Sequence, residues 1–253
     1  MLKRTFIHLP GVGERTEAHF WRQGLQTWED FLAVSRVWGL SRERLAWLQT
    51  EVRQSLARIS DLVYFADRLP SAQYWRLFKH FRPRAAYLDI ETTGANWPML
   101  TITVIGLYDG CRFQQFVQGE NLHQFSQAIR SYSLLVTYNG TQFDLPVLRA
   151  NFPDLSLPPV HIDLRFVLAR LGYRGGLKRI EPQLGVHRPS DLEDLDGYMA
   201  VLLWDRYQRG DRTARDLLLR YNQEDVVNLE TLMIQSYGLF QARLLSSASP
   251  AKT

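Results

Sequence analysis

Apolar residues recur at helical spacing through roughly the first 80 positions. Leu45, Leu48, Val52, Leu56 and Ile59 follow Ser41 and predict a capped helix, and Thr27 with Asp30 marks a second start ahead of Trp28, Phe31, Leu32 and Val34. The tryptophans of this stretch, Trp21, Trp28, Trp38 and Trp47, are expected in the core rather than as base-stacking platforms, because aromatic residues carry much of a small core's buried area. Phe81-Arg82-Pro83-Arg84 then breaks the helical period, since proline disfavours helix in the residue before it. From Ala85 the alternation is that of strands: Tyr87 to Glu91, Thr101 to Tyr108 and Arg112 to Val117, with Asp109-Gly110 as a hairpin turn. A helix over Asn121 to Tyr132 and a buried strand over Leu134 to Tyr138 follow, and the last third is mostly helical. The pattern predicts an all-helical module over 1–81, an α/β domain with a mixed, helix-covered sheet over 84–240, and a small, polar, flexible tail over 246–253.

Composition narrows the class without fixing it. The 253 residues are 45% hydrophobic and 22% charged, as in ordinary globular proteins. A net charge of +4, from 30 basic and 26 acidic residues, tolerates a polyanionic partner without demanding one. The single cysteine, Cys111, excludes an intramolecular disulfide and a cysteine-rich zinc cluster, and is expected to fill a strand position. No stretch approaches the roughly 20 apolar residues of a membrane span, and the first residues lack the apolar run of a signal peptide, so a soluble cytoplasmic protein is expected.

The chemistry lies in three acidic motifs. Asp89 and Glu91 stand two apart at the end of an apolar strand, so both carboxylates leave the same face of the sheet. Asp144, in Asn139-Gly140-Thr141-Gln142-Phe143-Asp144, stands where a turn opens into a helix, a place that an N-cap would also occupy. Tyr221 and Asp225 are four apart in a helical pattern and share one face. Each motif alone is compatible with a surface role. Together they offer four carboxylates and no histidine or cysteine, a donor set that suits hard ions such as Mg2+ or Mn2+. Two such ions about 4 Å apart activate water and clamp a phosphate, so phosphodiester hydrolysis is the chemistry that fits.

Asp89-Ile90-Glu91-Thr92, Asn139-x-x-x-Phe143-Asp144 and Tyr221-x-x-x-Asp225, in this order, resemble the exonuclease motifs of the DEDD superfamily, known from the proofreading domains of B-family DNA polymerases. Gly176-Leu177-Lys178-x-Ile180-Glu181, Leu184-Gly185, Asp196-Gly197 and Tyr221-Asn222-x-Glu224-Asp225-Val226-x-Asn228-Leu229 bring the chain nearer to the bacterial YprB-like, ribonuclease H-like group. The resemblance covers roughly residues 84 to 240. It implies a ribonuclease H-like α/β fold with a mixed five-stranded sheet flanked by helices, and two-metal 3′–5′ exonuclease chemistry on single-stranded or frayed DNA or RNA. It makes Asp89 a ligand of both metals, gives Glu91 and Asp225 to the water-activating one, and has Asp144 hold the second largely through water. Tyr221 would orient the attacking water. Arg220 stands where a histidine-bearing branch carries its histidine, so the chain resembles the tyrosine type.

Substrate contacts follow from the same resemblance. Thr92, Thr93, Asn139 and Phe143 flank the carboxylates and would hold the terminal nucleotide. Lys178, with Arg179 beside Gly175-Gly176, is a candidate phosphate contact, and equally an ordinary basic surface beside a glycine turn. Asp163 is expected to cap the helix over Leu164 to Leu171, with His161 in a loop. Leu9-Pro10-Gly11-Val12-Gly13 resembles the helix-hairpin-helix element of DNA repair proteins, in which Gly11 and Gly13 would offer backbone N–H groups to a phosphate. Two other readings remain open: a nucleic-acid binding protein with a non-catalytic nuclease fold, and a structure-specific endonuclease using the same metals.

Overall fold

The computed structural model describes residues 1–94 and 100–248. The chain divides into two compact units, Met1–Arg82 with the residues from Tyr237 onward, and Pro83–Ser236. No helix among the described residues is long and apolar enough to cross a membrane.

The first unit contains helices α1 (Glu14–Arg22), α2 (Trp28–Ala33), α3 (Arg42–Ala57), α4 (Leu62–Ala66) and α5 (Phe78–Phe81), with a 3-10 segment over Ser71–Leu77. Its helix starts are those that the sequence marks. Thr27 Oγ1 accepts from Asp30 N at 3.1 Å while Asp30 accepts from Thr27 N at 2.9 Å, a reciprocal capping box. Ser41 Oγ accepts from Arg44 N at 3.1 Å and opens α3. Phe6, Phe20 and Phe31 pack with ring centroids 5.1 to 5.6 Å apart, beside buried Trp28, whose Nε1 donates to Thr5 O at 2.7 Å.

Only half of the tryptophan expectation holds. Trp21 and Trp28 are buried, but Trp38 is 74% exposed and Trp47 40% exposed. Trp38 lies in the connection between α2 and α3, where no helical face exists to turn it inward, and Trp47 is angled away from the buried stripe of Leu45, Leu48 and Val52.

The second unit is built on one five-stranded mixed sheet. Its strands are β1 (Ala85–Thr92), β2 (Ile102–Tyr108), β3 (Phe113–Val117), β4 (Leu134–Thr137) and β5 (Val160–Asp163), in the order β3-β2-β1-β4-β5. The first three form an antiparallel meander, and β4 and β5 join in parallel. The meander follows the sequence pattern, whereas β5, only four residues long, was expected as loop and cap. His161 is therefore a strand residue, bonded to Thr137 Oγ1 at 2.9 Å. Cys111 is exposed in the β2–β3 turn rather than in a strand, because Asp109 Oδ1 accepts from both Cys111 N and Arg112 N and closes the turn there.

Helices α6 (Phe125–Ala128), α7 (Asp144–Asn151), α8 (Leu164–Leu171), α9 (Leu177–Ile180), α10 (Gly197–Gln208) and α11 (Arg212–Ala248) complete the order. The helix expected over Asn121 to Tyr132 is a single α turn between two 3-10 turns. Helix α11 runs three residues into the segment expected as a tail, and residues 249–253 lie outside the described residues.

The two faces of the sheet bury different cores. Leu88, Ile90, Ile105 and Leu107 pack with Phe125, Leu145 and Leu148 on one side. Val104 and Val117 pack on the other with Leu203, Trp204, Leu218 and Tyr221, from α10 and α11. Asp89 and Glu91 alternate with Leu88 and Ile90 along β1, so they belong to the α11 side. Gly106, paired with Asp89 across β2, sets the depth of that approach. A Cβ there would lie 2.3 Å from Asn222 Oδ1 and 2.7 Å from Val226 Cγ2. A side chain would push α11 off the strand that carries the acids.

Candidate active site

Three carboxylates from two elements converge. Ligand atoms of Asp89 and Glu91, from the end of β1, and of Asp225, from α11, lie within 4.8 Å of one another. Register between β1 and β2 slips beside them, where Glu91 faces Val104 and Thr92 faces Ile102, a bulge that ends regular pairing at the acids. Asp144 stands outside this trio but within its field. It occupies the first turn of α7 without capping it: the position before the helix is Phe143, and no side-chain cap bond is present.

Burial and mutual repulsion make this cluster costly. Burial pushes Asp89 well above the ordinary carboxylate range, helped by the charges of Asp144, Asp225 and Glu91. Glu91 is raised by burial and then by Asp225. Burial raises Asp144 to about 7, against the lowering effect of its backbone hydrogen bonds. Asp225 is raised by burial although Arg188 pulls the other way. Glu91 Oε1 and Asp144 Oδ1 are buried without a hydrogen-bond partner.

Around the acids lie the motif residues Glu181, Asn222 and Asn228, and one arginine outside every motif. Buried Arg188 joins Asp225 Oδ1 at 2.5 Å and grips Glu181 through two bonds of 2.6 and 2.7 Å. Asn228 Nδ2 adds a bond to Glu181 at 3.0 Å. Asn222 Nδ2 donates to Asp89 Oδ2 at 3.3 Å and to its carbonyl at 3.4 Å. The motif residue Glu181 thus acts through Arg188 on Asp225. No spacing rule links position 188 to either partner, so only the folded chain reveals the arginine. Burial, and then the charge of Asp225 one turn further along α11, push the Tyr221 phenol far above its ordinary range, which keeps it protonated.

A family model of the RNase H superfamily, RNase_H_2, matches residues 86–237, more than half of the chain. The chain belongs to the RNase H superfamily. Among solved structures, it is similar to the family B DNA polymerase from the hyperthermophilic archaeon Pyrobaculum calidifontis, with 20% identity, 64% of this chain covered and a TM-score of 0.45. It spans 24% of that polymerase. It is also similar to Brucella melitensis NrnC, with 21% identity, 68% of this chain and 86% of NrnC covered, and a TM-score of 0.41. No curated protein matches the chain.

In this RNase H-superfamily chain the other expected site residues fall into distinct environments. Thr92 Oγ1 and Thr93 Oγ1 accept from Gly94 N and Thr101 N, at 3.4 and 3.3 Å, and so serve the local backbone. Asn139 takes a left-handed backbone with φ of 65°, donates its N–H to Asp163 at 2.8 Å and accepts from Arg165 Nη1 at 2.5 Å. Asp163 caps α8 as expected, accepting from Arg165 N at 3.0 Å, and also accepts from Thr141 N, so it anchors the turn that leads to Asp144. Phe143 is 37% exposed. Lys178 Nζ is buried without a hydrogen-bond partner, 4.7 Å above the Tyr221 ring. Gly11 and Gly13 belong to the first unit, and the acid cluster to the second.

The donor set fits a divalent cation. Three converging carboxylates, a fourth raised by burial, and orphaned oxygens on Glu91 and Asp144 form an all-oxygen environment whose negative charge one arginine does not balance.

Proposed function

We propose that the chain is a metal-dependent 3′–5′ exonuclease that hydrolyses phosphodiester bonds of single-stranded or frayed nucleic acid. The observation that carries this reading is the meeting of Asp89, Glu91 and Asp225 within 4.8 Å, inside an RNase H-superfamily domain. Asp89, Glu91 and Asp225 would hold Mg2+ or Mn2+ with help from Asp144, and the bound ions would supply Lewis-acid activation of water and neutralise charge at the phosphate. The chain's own groups do the positioning. Arg188 fixes Asp225 through its Oδ1, and Asn222 orients Asp89. Tyr221 stays protonated and orients the attacking water through its hydroxyl rather than removing its proton. Lys178 places a cation beside Tyr221 for a substrate phosphate, and exposed Phe143 offers a face for the terminal base. Thr92, Thr93 and Asn139 shape the turns that border the terminal nucleotide. In the first unit, Gly11 and Gly13 would present backbone N–H groups to a strand phosphate.

One observation favours a second reading, a nucleic-acid binding protein without catalysis: Arg188 already supplies a cation to Asp225. A single experiment separates the two. DNA and RNA strands with 5′ labels and free or blocked 3′ ends are incubated with the protein, or with Asp89→Ala, in Mg2+, Mn2+ or chelator. The exonuclease reading expects a metal-dependent ladder shortening from free 3′ ends only, absent in the variant, and the ladder ranks the two sugars. Binding without cleavage supports the second reading, and cleavage of blocked strands makes the chain an endonuclease.

A further inference from the structure

Tryptophan is among the most buried side chains on average, so a tryptophan left 74% exposed while its backbone is clamped calls for an explanation. Trp38 N donates to Gln23 Oε1 at 2.9 Å. Trp38 O sits 3.0 Å from His19 Nε2 and accepts from Gln23 Nε2 at 3.4 Å. The His19 ring lies 5.2 Å from the indole and tilts 50° to it. These contacts fix the loop between α2 and α3 to the end of α1 and leave the ring itself in solvent.

Trp47 is presented in a similar way. Arg44 donates to Pro10 O at 2.6 Å and lays its guanidinium 4.4 Å above the Trp47 ring. Gly11 keeps this arrangement possible: its φ is +71°, and a Cβ there would lie 2.6 Å from Arg44 Nη2. Both indoles are held before any ligand arrives, which lowers the ordering cost of binding.

The exposed, unpaired charge of residues 14–44 is mostly basic, with Glu43 as the exception. Arg15, Arg22, Arg36 and Arg42 are exposed, and none of these or Arg44 pairs with a carboxylate among the described residues. Four acids of the same stretch are engaged: Glu14 accepts from Gln73, Glu17 pairs with Arg76, Glu29 with Lys3, and Asp30 closes the cap of α2. Exposed indoles among unpaired arginines match a chain that alternates flat bases with phosphates, and unpaired bases are the ones free to stack.

We propose that Trp38 and Trp47 form a stacking surface for single-stranded nucleic acid on the first unit. Bases would lie on the indoles, with phosphates near Arg36, Arg42 and Arg44. The surface acts by binding alone, and its test needs no turnover.

A labelled 12-nucleotide single strand and a blunt duplex of the same sequence are titrated into the full-length protein in chelator. Anisotropy and tryptophan fluorescence are followed together. The single strand should quench fluorescence, and Trp38→Ala and Trp47→Ala should each weaken its binding about tenfold, with Trp38→Phe restoring most of the loss. The melting temperature of each variant should match that of the wild type, as the exposure of both rings requires. Unchanged affinity in both alanine variants would overturn the proposal. So would an equal loss on the blunt duplex, which would assign the surface to duplex shape rather than to unpaired bases.

Discussion

Each unit of this chain buries charge, and the two do so in opposite ways. In the first, Glu17 and Arg76 are each 1% exposed and 2.8 Å apart. Glu17 also accepts from Phe6 N at 2.6 Å and Thr5 Oγ1 at 3.0 Å, while Arg76 donates to Gln73 and Thr5. One anion meets one cation, and neighbours take up the remaining capacity. In the second, four carboxylates share one buried region with a single paired arginine, and two of their oxygens have no partner. A saturated, neutral pair is what structure alone requires. An unbalanced cluster with orphaned oxygens is destabilising by itself and makes sense as a site for something positive.

Substitutions should split along this line. The largest effect is expected at Asp89→Ala and Asp225→Ala, which should each cut strand cleavage by about 10³-fold or more while circular dichroism stays unchanged. Arg76→Met should do the reverse, costing about 3–5 kcal/mol of stability through the unpaired Glu17. Denaturant midpoints read that loss, and an unchanged midpoint would remove the contrast between the units.

A smaller effect concerns pH. Burial, and then the charge of Arg68, lower His8 to about 3 from its ordinary value near 6.5. The unfolded chain therefore binds the extra proton between those values, so stability is complete above pH 6.5 and falls as pH drops toward 3. The slope contributed is at most about 1.4 kcal/mol per pH unit. Glu17, raised by burial, works in the opposite sense, so the measurement is the difference between wild type and His8→Gln, which keeps a donor for Ser55. The variant should melt less steeply with acid. The smallest effect is expected at Tyr221→Phe, which removes the protonated hydroxyl beside Asp225 and should slow cleavage about tenfold.

Much of the second unit was legible because its signals are local. The meander, the Asp109-Gly110 turn and the carboxylates of β1 and α11 follow from alternation and spacing. Strand β5 was not legible, because four residues between a proline-rich loop and a helix cap hold too little alternation to show. The role of the motif residue Asn222 stayed hidden because it depends on α11 docking beside Gly106, more than a hundred positions away, and Arg188 because no spacing rule links it to Glu181 or Asp225. In the first unit the caps at Thr27 and Ser41 were readable, since each bond spans three residues. The exposure of Trp38 was not, because the residue sits between helices, where periodicity carries no information about facing.

Thermal melting tests whether the acid cluster is a liability kept for a cation. In chelator, Asp89→Asn should melt about 3 °C or more above the wild type, because it removes one of several like charges from a buried site. Added Mn2+ should raise the wild-type midpoint and leave the variant nearly unmoved. A variant less stable than wild type in chelator, with no Mn2+ shift in either protein, would contradict the claim and place these carboxylates with Glu17, as parts of the scaffold.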